Sequence, residues 1–144
     1  LALNGDGNSL GFAQIIDEYG SKAGESVYMY AGISELQLGN YENAISYLKK
    51  YDGNDPIMKA RSISNIGDAY AGLENYKEAL SFYLKAADFA DNTFAAGYLL
   101  KAGIMYEELG DTAKAVETYK TIKDKYPQSV EGYDIDKYIS RLTL

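Results

Sequence analysis

Cysteine, histidine and tryptophan are absent from this 144-residue sequence, and proline occurs only twice. Without thiols or imidazoles there is no disulfide, no Cys/His zinc site, no cysteine nucleophile and no side chain that ordinarily shuttles protons near neutral pH. Runs of about 20 apolar residues are missing, so no segment is built to span a bilayer as a helix. Basic runs are missing as well: 14 Lys and Arg stand against 21 Asp and Glu, a net charge of −7. Nucleic acids and anionic membrane surfaces are gripped mainly through Lys and Arg, so neither is an expected partner. The chain opens Leu1-Ala2-Leu3-Asn4-Gly5-Asp6, without an initiator Met or a charged segment leading into an apolar core. That start reads as a fragment or processed form whose own N-terminus lies elsewhere.

What is present is repetition. Residues 64–87, SNIGDAYAGLENYKEALSFYLKAA, share a skeleton with AGISELQLGNYENAISYLKKY upstream and AGIMYEELGDTAKAVETYKTI downstream. Gly32, Gly67 and Gly103 are 35 and 36 residues apart, and Ala44, Ala79 and Ala115 keep the same intervals, as do Pro56, Asp91 and Pro127. A period of this size signals helix pairs stacked in series. The predicted helices run near 23–38 and 41–51, 57–73 and 76–89, and 93–109 and 112–125. Phe12, Ile15, Ile16 and Tyr19 lie at helical spacing between Ser9 and Gly20 and predict a half-repeat helix over 9–20. A last helix over 129–142 carries Tyr133, Tyr138, Ile139 and Leu142 with enough charge to cap the array. Gly in a helix interior costs about 0.5–1 kcal/mol relative to Ala, so its recurrence implies tight helix crossings. Tyr28, Ile63, Leu99, Leu48, Tyr83 and Tyr119 are expected to fill the space around them.

The pattern of Ile63, Ile66-Gly67, Tyr70, Ala79, Tyr83 and Ala86 resembles the tetratricopeptide repeat (TPR), and the resemblance covers about residues 25–127. Glu35 stands where the family has Tyr, and Trp never takes the first position. The resemblance implies an all-α, right-handed TPR superhelix, an α-α solenoid with three full repeats (23–56, 57–91 and 92–127), the N-terminal half-repeat helix and the C-terminal cap, in one domain. It also implies that first helices line a concave groove. The groove positions carried over are Met29, Tyr30 and Ile33, with Ser26 and Gln37 at its edge; then Arg61, Asn65 and Asp68, with Ser64; then Lys101, Ile104 and Glu108. Asn65 is expected to bond a guest backbone, while Met29 and Tyr30 take a side chain. The alternative is that the N-terminal helix covers Met29 and Ile33 and the C-terminal helix folds over the groove near Ile104. Asn65 and Lys101 also match the carboxylate clamp of chaperone-binding members, but Met29, Ile33 and Gly97 stand at its other three places, so no clamp is expected.

Other motifs fall short. Asn4-Gly5-Asp6-Gly7-Asn8-Ser9 lacks the Gly and the distal Glu of a calcium loop, since Ser9 and Ile15 take those places. Gly5-x-Gly7 lacks the third Gly and the preceding strand of a dinucleotide fingerprint. Carboxylate pairs such as Glu107-Glu108 and Asp134/Asp136 read as solvated helix faces. The expectation is therefore a non-enzymatic scaffold, with no metal or cofactor, holding a partner protein or extended peptide. The linkers EYGSKAG and KYPQSVEG are similar to those of bacterial envelope TPR proteins of the ancillary translocon and Tol–Pal-associated types. That similarity implies a periplasmic array behind a membrane anchor outside these residues. A cytoplasmic adaptor or co-chaperone is the alternative, and a self-associating structural module the third reading.

Overall fold

The computed structural model describes residues 26–90 and 92–144, and all regular structure among them is helical. The helices are α1 (Ser26–Gln37), α2 (Tyr41–Lys50), α3 (Pro56–Gly72), α4 (Tyr76–Ala90), α5 (Ala95–Glu108), α6 (Thr112–Lys125) and α7 (Val130–Thr143). Their ends fall within three residues of those predicted. The half-repeat helix expected over 9–20 lies outside the described residues. The chain groups into two units, Leu1–Glu74 and Asn75–Leu144; the first holds α1–α3 and the second α4–α7.

Local chemistry explains the helix ends. Pro56 opens α3, where a missing N–H costs nothing, and Asp55 caps it by accepting from the Ile57 amide at 3.0 Å. Asp111 and Ser129 cap α6 and α7 in the same way, accepting from Lys114 and Gly132. Inside each repeat the two helices are joined by a turn with one left-handed residue: Gly39 (φ +80°), Glu74 (φ 59°) and Gly110 (φ +80°). In the first and third turns the following residue donates to a carbonyl five residues back, Asn40 to Glu35 and Asp111 to Tyr106, each at 2.9 Å. This is the Schellman closure, which satisfies carbonyls at the helix end and favours Gly at the left-handed place. Repeat two places glutamate at the left-handed position.

In the first unit, α1 crosses α2 at Gly32. A Cβ built there would lie 2.5 Å from Leu48 Cγ and 3.3 Å from the Ala44 carbonyl, so only hydrogen fits. Ala44 and Leu48 are both buried. Helix α2 also packs on α3, where the buried Ser62 hydroxyl donates to the Leu48 carbonyl at 3.4 Å. Gly67 is buried in the middle of α3. In the second unit, Gly103 of α5 meets the ring of Tyr119 from α6; an added Cβ would sit 2.8 Å from Tyr119 Cδ1 and nearer still to Cε1. Tyr119, Ala96, Ala115, Ile122 and Ile135 form the core of this unit, with Leu99, Tyr138, Ile139 and Leu142 against it. Ile63, Leu48, Tyr83 and Tyr119 are buried as the sequence implies, whereas Tyr28 and Leu99 are only half-buried.

Two opposite glycine substitutions follow. Gly103→Ala is expected to destabilise by roughly 1–3 kcal/mol, because the fully buried Tyr119 has nowhere to retreat. Glu74→Gly is expected to stabilise by about 1 kcal/mol, relieving the left-handed strain of a side-chain-bearing residue. Thermal melts of the two variants should move in opposite directions from the parent; a Glu74→Gly melt below the parent's would refute the strain assignment.

Candidate functional site

The residues expected to face a guest recur in register. Tyr30, Asn65 and Lys101 are equivalent by the 35- and 36-residue intervals, as are Ile33, Asp68 and Ile104. Within the first unit, Tyr30 is 56% exposed, Ile33 half-buried, Arg61 exposed, and Asn65 and Asp68 half-buried. Met29 is enclosed, at 1% exposure, and presents no surface to a partner. Within the second unit, Lys101 and Ile104 are half-buried and Glu108 is exposed.

The polar atoms along α3 are poorly satisfied. Asn65 Nδ2 and Ser64 Oγ are buried without a hydrogen-bond partner. A buried donor left unmade costs about 1–3 kcal/mol, so such groups are seldom idle. In α1 the buried Glu35 also has an unpartnered oxygen, Oε2. Burial, and then the Glu35 charge, push the neighbouring Tyr47 phenol above its usual pKa. Lys101 is not a bare charge: its ammonium lies 5.6 Å from the centroid of the Tyr83 ring.

The second unit has a defined cleft of about 500 Å³. Gly97, Leu100 and Lys101 of α5, with Phe94 just before it, form one side, and Val130 and Glu131 at the start of α7 form the other. Phe94 and Val130 are 59% and 78% exposed. Gly97 leaves the cleft deep, since a Cβ there would meet only the Glu131 carboxylate, Oε2 at 3.4 Å and Cδ at 3.9 Å. The sequence reading assigned Val130 and Glu131 to a cap and did not find the cleft. The available signal was phase: Pro56 and Pro127 are 71 residues apart, two periods, so α7 follows Pro127 as a first helix follows Pro56.

Helix α7 is held in place from its other end. Arg141 donates both terminal nitrogens to Glu107 of α5, each at 2.9 Å, and Tyr119 of α6 donates a short hydrogen bond to the same carboxylate. The Arg141 guanidinium also lies 5.8 Å from the centroid of the Tyr138 ring, which in turn packs 5.3 Å from Tyr119. A bidentate guanidinium–carboxylate pair fixes register as well as adding energy. Burying Ile135 alone contributes roughly 1.5–3 kcal/mol, so apolar contact holds α7 and the ion pair orients it. Burial pushes the Glu107 carboxyl upward, but the hydrogen bonds from Arg141 and Tyr119 outweigh it and hold the pKa below the usual 4.5.

Family models described as tetratricopeptide repeat match residues 25–57, 60–93 and 98–129. The chain belongs to the tetratricopeptide-repeat family. A TPR repeat-containing protein of Methanocaldococcus jannaschii is 31% identical over 96 residues, covering 67% of this chain and 16% of that protein. The 43 kDa receptor-associated protein of the synapse of Gallus gallus is 30% identical over 98 residues, covering 61% of this chain and 23% of that protein. This TPR chain therefore spans less than a quarter of those relatives. Two crystal structures of MamA superpose with TM-scores of 0.71 and 0.72 at 20% identity, each over 95% of this chain and over 85% and 72% of theirs. That likeness shows the fold, a TPR α-α solenoid. The repeats make the chain a protein–protein interaction module, of a kind that is typically non-catalytic. Among the described residues no helix is long and apolar enough to cross a membrane.

Because the folded pKa of Glu107 is lowered, its stabilisation is complete above the unfolded value and is lost as pH falls through the folded one. Glu107→Gln is expected to cost about 1 kcal/mol at pH 7, a drop in Tm of roughly 3 °C. The gap between the two melting curves should close as pH is lowered below about 4.5. A gap that stays constant down to pH 3 would contradict the ion-pair assignment.

Proposed function

We propose that this TPR chain is a non-enzymatic scaffold that holds an extended segment of a partner protein on the first helices of its repeats. The observation that carries the reading is the repeated register of partly open residues, Tyr30, Asn65 and Lys101 one turn before Ile33, Asp68 and Ile104. These are mixed apolar and polar positions at one place on α1, α3 and α5. Asn65 Nδ2 lacks an acceptor, and a guest carbonyl supplies one; Tyr30 offers an exposed ring for a guest side chain. Arg61 and Glu108, both exposed, sit at the ends of the same helix faces. The bacterial cell envelope is the setting we assign, on the linker similarity described above, with anchoring by a segment outside these residues.

A photo-crosslinking residue placed at Tyr30 tests the binding face, with the exposed Lys120 on the second helix of repeat three as control. Position 30 is expected to capture a discrete partner from cells and position 120 to capture none. Asn65→Ala should weaken capture at position 30 by about tenfold, the worth of one hydrogen bond of about 1.4 kcal/mol. Equal capture at both positions would refute the groove assignment, and recovery of the native protein in the cytosolic fraction would refute the envelope setting.

A further inference from the structure

We propose that the cleft between α5 and α7 receives a partner segment in which a bulky apolar side chain stands beside a lysine or arginine. This rests on the reading of the first helices as a binding face and adds the chemistry of what one part of that face accepts.

The walls are apolar and open. Phe94 and Val130 are largely exposed, Leu100 is half-buried between them, and Gly97 contributes no side chain. A volume of about 500 Å³ is in the range of ligand pockets, roughly 300–1,000 Å³. A large apolar side chain lying between Phe94 and Val130 removes both from water.

Charge decides which segment brings that side chain. Helix α7 carries three carboxylates. Asp134 pairs with Lys137 at 3.8 Å and Asp136 with Lys123 at 2.9 Å. Glu131, the one that lines the cleft, makes no ion pair or hydrogen bond with the described residues. The cation in the same cleft, Lys101, is already engaged over the Tyr83 ring. Any apolar guest seated against Val130 strips water from the Glu131 carboxylate, and an ionised group desolvated without a counter-charge is strongly unfavourable. A guanidinium or ammonium beside the apolar side chain cancels that penalty, and a guest carboxylate makes it worse. The cleft therefore selects against the acidic segments that a carboxylate clamp would take. The chain's net charge of −7 draws basic segments in the same sense.

The test uses the whole chain and three capped Gly/Ser octapeptides, with acetyl and amide ends, carrying central Phe-Arg, Phe-Glu or Ser-Arg. Fluorescence anisotropy is read for the parent and for Glu131→Gln, Gly97→Leu and Val130→Ser, with a thermal melt of each. Phe-Arg is expected to bind at least tenfold more tightly than either other peptide. Glu131→Gln should erase the preference for Phe-Arg over Phe-Glu, and Gly97→Leu, which fills the cleft, should abolish binding without lowering Tm. Val130→Ser serves the same purpose at an exposed position should Gly97→Leu fold poorly. Phe-Glu binding as tightly as Phe-Arg, or a preference that survives Glu131→Gln, overturns the proposal. An acidic peptide bound and then lost in Gly97→Leu overturns the charge class while leaving the groove reading intact. Binding of none of the three overturns the cleft as a site, and crosslinking at position 30 in the other unit then judges the groove reading on its own.

Discussion

Two helix pairs in this protein close where one partner has no side chain. Gly32 admits Leu48, and Gly103 admits the ring of Tyr119, each sixteen residues further along the chain. The contact fixes how near the two axes lie and thus which residues on the first helix can reach the core. Everything on the opposite side of α1 and α5 is left for other uses by the same geometry. Because the larger partner is fully buried in both cases, the crossing cannot drift without opening a void, and interiors tolerate voids poorly.

The second unit shows how one crossing recruits further structure. Tyr119 fills the space beside Gly103 and sends its hydroxyl on to Glu107, which then receives Arg141 from α7. A residue chosen for bulk thus becomes the donor that helps orient a third helix. The start of α7 is pinned separately: Gly132 lies so close to the Tyr126 and Pro127 carbonyls that a methyl group would not fit. Just ahead of Gly132, Val130 and Glu131 are set opposite Gly97, so the cleft owes its shape to contacts at both ends of one helix.

Much of this was legible from the chain alone, because it depends on local spacing. Intervals of 35 and 36 residues between glycines and alanines reveal the helix pairs, and Pro56 and the Asp111 and Ser129 caps mark their ends. What escaped reading depends on side chains far apart in sequence. Arg141 and Glu107 are 34 residues apart and look like ordinary surface charges until the register of α7 against α5 is known. Met29, expected to meet a guest, is enclosed instead, since periodicity gives the face of a helix but not what covers it. Glu74 was equally opaque: nothing in LEN announces a left-handed residue until it is aligned with LGN and LGD. Tyr30, Asn65 and Lys101 fall at equivalent, partly open places.

The three within-repeat turns begin their second helices at Tyr41, Tyr76 and Thr112, at the same intervals as the glycines. The stretches between repeats do not match: α2 has 10 residues and α4 has 15 before the next first helix begins. Variation in length is therefore confined to the seams between repeats, while the hinge inside each pair is invariant. Such an array can gain or lose residues at its seams while the turn inside each helix pair keeps its length.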